Sequence, residues 1–133
     1  MTSKTLAKKL AQASFVKKAY DVAILDLRKL TSMTDFFIVC SVDSDSQARA
    51  VSDAIEEAGR AVGDKPIRRE GYREGRWILL DYVDVVVHIF HNELRSFYNL
   101  EKLWNDANIE HVHDKEEPAK KPKPAAKKRS AKK

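Results

Sequence analysis

The stretch Trp77-Ile-Leu-Leu-Asp-Tyr-Val-Asp-Val-Val-Val-His-Ile-Phe-His91 decides how this chain folds. It reads as two strands, Arg76–Tyr82 and Asp84–Phe90, joined at Val83. Strand alternation places Trp77, Leu79 and Asp81 on one face and Ile78, Leu80 and Tyr82 on the other. In the second strand Val85, Val87 and Ile89 oppose Val86, His88 and Phe90. Both faces are rich in apolar groups, so helices covering one face leave the other as an apolar patch rimmed by charge. Such patches mark interaction surfaces, and Trp and Tyr are frequent anchors in them. Periodicity alone leaves that face open between a helix-covered core and an interface.

Upstream, Leu6, Leu10 and Ala13 recur at helical spacing within residues 4–19. Val22–Leu27 and Asp35–Ser41 are apolar on both sides, as in strands covered on both faces. Ser44 and Gln47 have the spacing of a capping box, and Asp43 and Asp45 add negative charge where a helix dipole favours it. Ala48, Val51, Ile55, Ala58 and Val62 then form one stripe of a helix that Gly63 is placed to end. The polar strand Ile67–Arg73 is expected at a sheet edge or ragged, with Gly71 and Gly75 marking the approach to Trp77. Asn92 starts a last helix with Leu94, Phe97, Leu100, Leu103 and Trp104 on one broad face and a break near Asn99. The order α-β-β-α-β-β-β-α predicts an α/β fold: a mixed sheet of about five strands with helices packed on it. The central helix should be a right-handed crossover between parallel strands.

A chain of 133 residues supports one domain. Its net charge of +5 suggests a nucleic-acid binder, but residues 118–133 hold eight Lys or Arg and no acids. Residues 1–117 then have 17 basic and 20 acidic groups, a net charge of −3, so the basic character belongs to the tail. The expected organisation is one domain over 1–113 and a disordered Lys/Pro/Ala tail over 114–133, which has no large apolar group to offset ordering entropy. Cys40 is the single cysteine, so no disulfide can form within the chain. Nothing resembles a signal peptide or a membrane span, and a cytoplasmic protein is expected.

Few residues suggest catalysis. Asp43-x-Asp45 follows a strand, as do the metal-holding carboxylates of nucleotidyltransferases, but Cys40-Ser41-Val42 before it lacks a glycine to admit phosphate to the backbone. Capping accounts for both acids, and a metal-dependent nucleotidyltransferase using Asp43 and Asp45 is the alternative function. His88 and His91 would face opposite sides of a strand, which is poor geometry for shared ligation. Cys40 lies in an apolar strand and reads as an inert core thiol. No cofactor and no metal site is expected.

Five ordered blocks resemble the ribosomal silencing factor family, also called Iojap-like. They are Asp35-Phe-Phe-Ile-Val-Cys-Ser41, Ser44-x-x-Gln47-x-Arg49, Glu70-Gly71, the segment from Trp77 to Phe90, and Arg95-x-Phe-Tyr-x-Leu-Glu-x-Leu-Trp104. The resemblance covers about residues 5–112. The resemblance implies a nucleotidyltransferase-like fold without transferase activity. It implies binding to the large ribosomal subunit through its fourteenth protein, which blocks joining of the small subunit and lowers translation when nutrients are short. It also implies homodimers of the free protein through an overlapping surface. Trp77, Leu79, Asp81, Tyr82, Asp84 and His88 match the family's interaction segment. The tail lies outside these blocks, and its charges suit ribosomal RNA phosphates. Val42 and Val83 stand where the family often has glycine. Val83 disfavours the positive φ of a tight hairpin turn, so a wider turn is expected there.

Overall fold

The computed structural model describes residues 1–115; the basic tail from residue 116 onward lies outside the described residues. The chain runs α1 (Ser3–Ser14), a 3₁₀ turn (Phe15–Lys17), β1 (Tyr20–Asp26), β2 (Phe36–Val42), α2 (Asp45–Ala61) and β3 (Arg68–Glu70). It continues through β4 (Trp77–Asp81), β5 (Val85–His91), α3 (Asn92–Tyr98), α4 (Leu100–Leu103) and β6 (Asn108–His111). The helix ends follow the expected chemistry. Thr2 caps α1 by accepting from the Thr5 N–H at 3.1 Å. Ser44 caps α2 by accepting from the Gln47 N–H at 3.1 Å, while Gln47 reaches back to the Asp43 N–H at 2.7 Å. Asn99 at φ +46° separates α3 from α4, the expected break.

Among the described residues the sheet has six strands, in the order β3-β4-β5-β2-β1-β6. The sixth is a finding beyond the expected set: Asn108–His111 pairs antiparallel with β1, with His111 opposite Ala23. Its alternation of Asn, Ile, Glu and His carries a single apolar group, too weak a pattern to announce a strand. β2 pairs parallel with β5, from Phe36 opposite Val85 to Val42 opposite His91, and the remaining pairs are antiparallel. α2 joins strands that run the same way, as expected, but β5 and β4 lie between β2 and β3. β3 is shorter than expected, exposed throughout, and does lie at an edge.

α1 and α2 cover one face. There Leu6, Leu10, Val51 and Ile55 pack on Val22, Ile24, Ile38, Cys40, Ile78, Leu80, Val85, Val87 and Ile89. Removing that much apolar surface from water is the main stabilising term. The opposite face has a smaller cluster, in which Ala23, Leu25, Leu27, Val39 and Phe90 meet Leu100, Leu94, Trp104 and Ile109. The C-terminal segment therefore roofs the β1–β2 side of this face. On β4 and β5, Leu79, Asp81 and Val86 stay only half-buried.

The β4–β5 turn corrects the expectation of a wide loop. Tyr82 N–H donates to the Val85 carbonyl at 2.8 Å, and Asp84 N–H donates to the Tyr82 carbonyl at 2.9 Å. The turn is tight, and Val83 accepts φ +75° to make it. A β-branched residue there is strained. The Asp81 carboxylate stabilises the arrangement by accepting the Val83 N–H at 2.8 Å.

Candidate partner-binding face of the sheet

Trp77 is positioned from both ends. Before it, residues 69–76 are fastened to α2 by the Tyr72 hydroxyl on Asp53 at 3.1 Å and by the Arg69 guanidinium on Glu56 at 3.0 Å. Gly71 lies at φ +80°, and a Cβ on it would stand 2.0 Å from the Trp77 carbonyl oxygen. Only glycine fits that contact. After it, strand alternation turns Trp77, Leu79 and Asp81 away from α1 and α2, as the periodicity predicts.

Trp77 lies on a floor of rings. Its centroid is 4.7 Å from that of Phe90, 4.8 Å from Tyr98 and 5.9 Å from His88. Phe37 meets His88 edge-on at 4.5 Å and Trp104 at 6.1 Å. The indole Nε1–H donates to His88 Nδ1 at 3.1 Å. Burial pushes the His88 imidazole down to about 4, so it is neutral at physiological pH.

Of the six expected contact residues, the fold brings Trp77, Leu79 and Asp81 together on the half-open face and leaves Asp84 exposed at its end. Asp81 is already engaged, pairing with Arg68 at 3.3 Å across the β3–β4 edge. His88 is 4% exposed and lies beneath Trp77 rather than at the surface. Tyr82 belongs to the opposite face, 5% exposed beneath α2. Regular alternation puts it there: no bulge brings Tyr82 round to Trp77. Its hydroxyl has no hydrogen-bond partner among the described residues, and burial pushes its pKa up.

Three large groups that the sequence reading missed lie at the surface. Phe97 is 76% exposed and Leu103 71% exposed, and Tyr98 is exposed against Trp77. One continuous helix from Asn92 to Trp104 would have aimed Phe97 and Leu103 at the core. The left-handed Asn99 splits it, so that Leu94, Leu100 and Trp104 pack inward and the others turn out. Asn99 was the available signal, since Asn tolerates that conformation and caps α4 by accepting the Lys102 N–H at 3.1 Å.

The other motifs take structural roles. Asp43 accepts from the Tyr20 hydroxyl at 2.5 Å and from the Asn92 amide at 2.8 Å, tying together the ends of β1, β2 and β5. Asp45 stands in the first turn of α2. Among the described residues no three His, Cys, Asp or Glu side chains are grouped to share a metal ion. A polar cavity of about 430 Å³ opens beside Tyr20, Ser41, Asn92 and Arg95. Arg95 is held there by the Asp21 carbonyl, Ser41 and Glu101. Burial pushes the Cys40 thiol up to about 12, which keeps it inert. Among the described residues no helix is long and apolar enough to cross a membrane.

The whole chain, residues 1–133, matches the family described as "Ribosomal silencing factor during starvation". The chain belongs to the ribosomal silencing factor family. A ribosomal silencing factor of Bacillus subtilis is 41% identical over 109 residues, covering 82% of this chain and 92% of that one. A chloroplastic Iojap protein of Zea mays is 37% identical over 103 residues, 77% of this chain and 45% of that one. A crystal structure of a Chromobacterium violaceum protein superposes with a TM-score of 0.77 at 30% identity, covering 87% of this chain and 98% of that one. One from Bacillus halodurans gives 0.72 at 35% identity, over 82% and 99% of the two chains. These relationships place this ribosomal silencing factor fold among proteins that regulate translation at the ribosome. The mixed sheet with helices on it is the architecture of the family's solved members.

Proposed function

We propose that the chain represses translation by occupancy, in the cytoplasm and without catalysis. In this reading the open half of the sheet binds the large ribosomal subunit through its fourteenth protein. The bound domain then stands in the way of the small subunit and slows translation when nutrients are limiting. The observation that carries the reading is the half-buried Trp77, packed on Phe90 and Tyr98 on a sheet face that α3 and α4 leave half uncovered. Leu79 and Val86 extend the apolar area, and exposed Phe97 borders it through its edge-on contact with Tyr98. Asp81, together with Asp84 at the turn, supplies negative charge to orient a basic partner.

Co-sedimentation with purified large subunits tests the reading. Trp77→Ala should weaken binding by about 2 kcal/mol or more, as loss of an interface anchor does. A folded Trp77→Ala protein that co-sediments as well as the parent sinks the assignment. The same face serves a second copy when the protein is free, so the large subunit and self-association should compete. The basic residues 118–133, outside the described residues, supply charge toward ribosomal RNA. Their removal should weaken binding mainly at low salt.

A further inference from the structure

Trp77 carries one polar hydrogen and no acceptor. That hydrogen is used inside the protein, on His88 Nδ1 at 3.1 Å. His88 in turn is fixed by its surroundings: Phe90 lies nearly parallel to it, 10° between planes at 6.1 Å, and Phe37 meets it edge-on at 4.5 Å. Accepting through Nδ1 places the hydrogen of the neutral ring on Nε2. Nε2 has no hydrogen-bond partner among the described residues. At 4% exposure the imidazole offers a partner almost no area.

We infer that His88 is the positioning residue of the partner surface: it fixes the Trp77 ring by accepting its only polar hydrogen, and it does not touch the partner. The inference rests on the reading that Trp77 anchors the large subunit. It specifies the chemistry of the groove that receives the ring. That groove meets an indole whose N–H is already paired, so its complement is an apolar slot with no acceptor reserved for the indole.

Two substitutions separate the possibilities. His88→Phe keeps a ring on the floor but removes the acceptor. His88→Asn places an amide oxygen near the former Nδ1. The indole Nε1–H resonance of Trp77, told from that of Trp104 by Trp104→Phe, reports the bond directly. Co-sedimentation with purified large subunits reports function. His88→Phe should move the Trp77 resonance and weaken binding about tenfold, the worth of one lost hydrogen bond. His88→Asn should recover part of both. In a Trp77→Phe background the same His88 changes should alter binding by less than about twofold, because positions acting through one group are not additive.

Equal losses with and without the indole would show direct contact by His88 and overturn the inference. A moved resonance with unchanged binding would overturn it too. If His88→Phe fails to fold, the Trp77→Phe and His88→Asn cycle gives the same decision. Failure of the underlying reading looks different: Trp77→Ala itself would then leave binding intact.

Discussion

Replacing Val83 by alanine and by glycine measures the strain in the β4–β5 turn. Val83 is held at φ +75° by the Asp84 N–H on the Tyr82 carbonyl at 2.9 Å and by the Asp81 carboxylate on its own N–H at 2.8 Å. Its side chain is half exposed, at 50% for the residue, so both variants lose a similar and modest amount of packing. The contrast between them isolates the backbone. A left-handed conformation costs a residue with a Cβ about 1–2 kcal/mol. Glycine's extra freedom in the unfolded chain costs about 0.5–1 kcal/mol. Val83→Gly should therefore exceed Val83→Ala in stability by about 0.5–1 kcal/mol, the reverse of the usual order within strands and helices. In a domain of this size, 1 kcal/mol moves Tm by about 4 °C. Urea unfolding followed by Trp fluorescence and circular dichroism reads the difference, with equal slopes confirming that only stability changed. A glycine variant less stable than the alanine variant would refute the strain and the turn geometry together.

Other expectations follow from two of the buried polar groups, Tyr82 and His88. Tyr82→Phe removes a hydroxyl that has no partner among the described residues, so it should be neutral or stabilise by up to about 1 kcal/mol in urea unfolding. It should also leave large-subunit binding unchanged, and a loss of binding would contradict the placement of Tyr82 beneath α2. His88 falls from an ordinary 6.5 to about 4 in the folded state through burial. The unfolded chain then binds more protons between those values, so this contribution is complete above about pH 6.5 and is lost as pH falls toward 4. The loss is on the order of 3 kcal/mol at most. His88→Phe should flatten that part of the stability profile measured by urea unfolding from pH 7 to 4.5, and a parallel profile would show that His88 is not the group responsible.

Most of the framework was legible in the sequence because local chemistry specified it. The Ser44 cap, the stripe from Ala48 to Val62, the edge position of the polar β3 and the alternation of β4 each depend on near neighbours. β6 was not legible, since only pairing with a strand far away in sequence makes Asn108–His111 extended. The faces of Trp77 and Tyr82 followed from parity, but their status did not. Alternation fixes where a side chain points and is silent on what covers it. The exposure of Phe97 and Leu103 depends on one left-handed residue, Asn99, which redirects two helix faces at once. At Val83 sequence preference and structure disagreed, and the hydrogen bonds of the turn prevailed over an unfavourable φ.

The sheet order also constrains when a newly made copy becomes competent. β2 finds its parallel neighbour only after β5 has been synthesised, and β1 acquires β6 only near the end of the folded chain. Contacts this distant in sequence make folding slow and late. Until they form, the unpaired edges of β1 and β2 are open to mispairing. Trp77 has no floor before Phe90 and His88 are in place. A nascent chain therefore lacks the assembled face until β5 and β6 have been made.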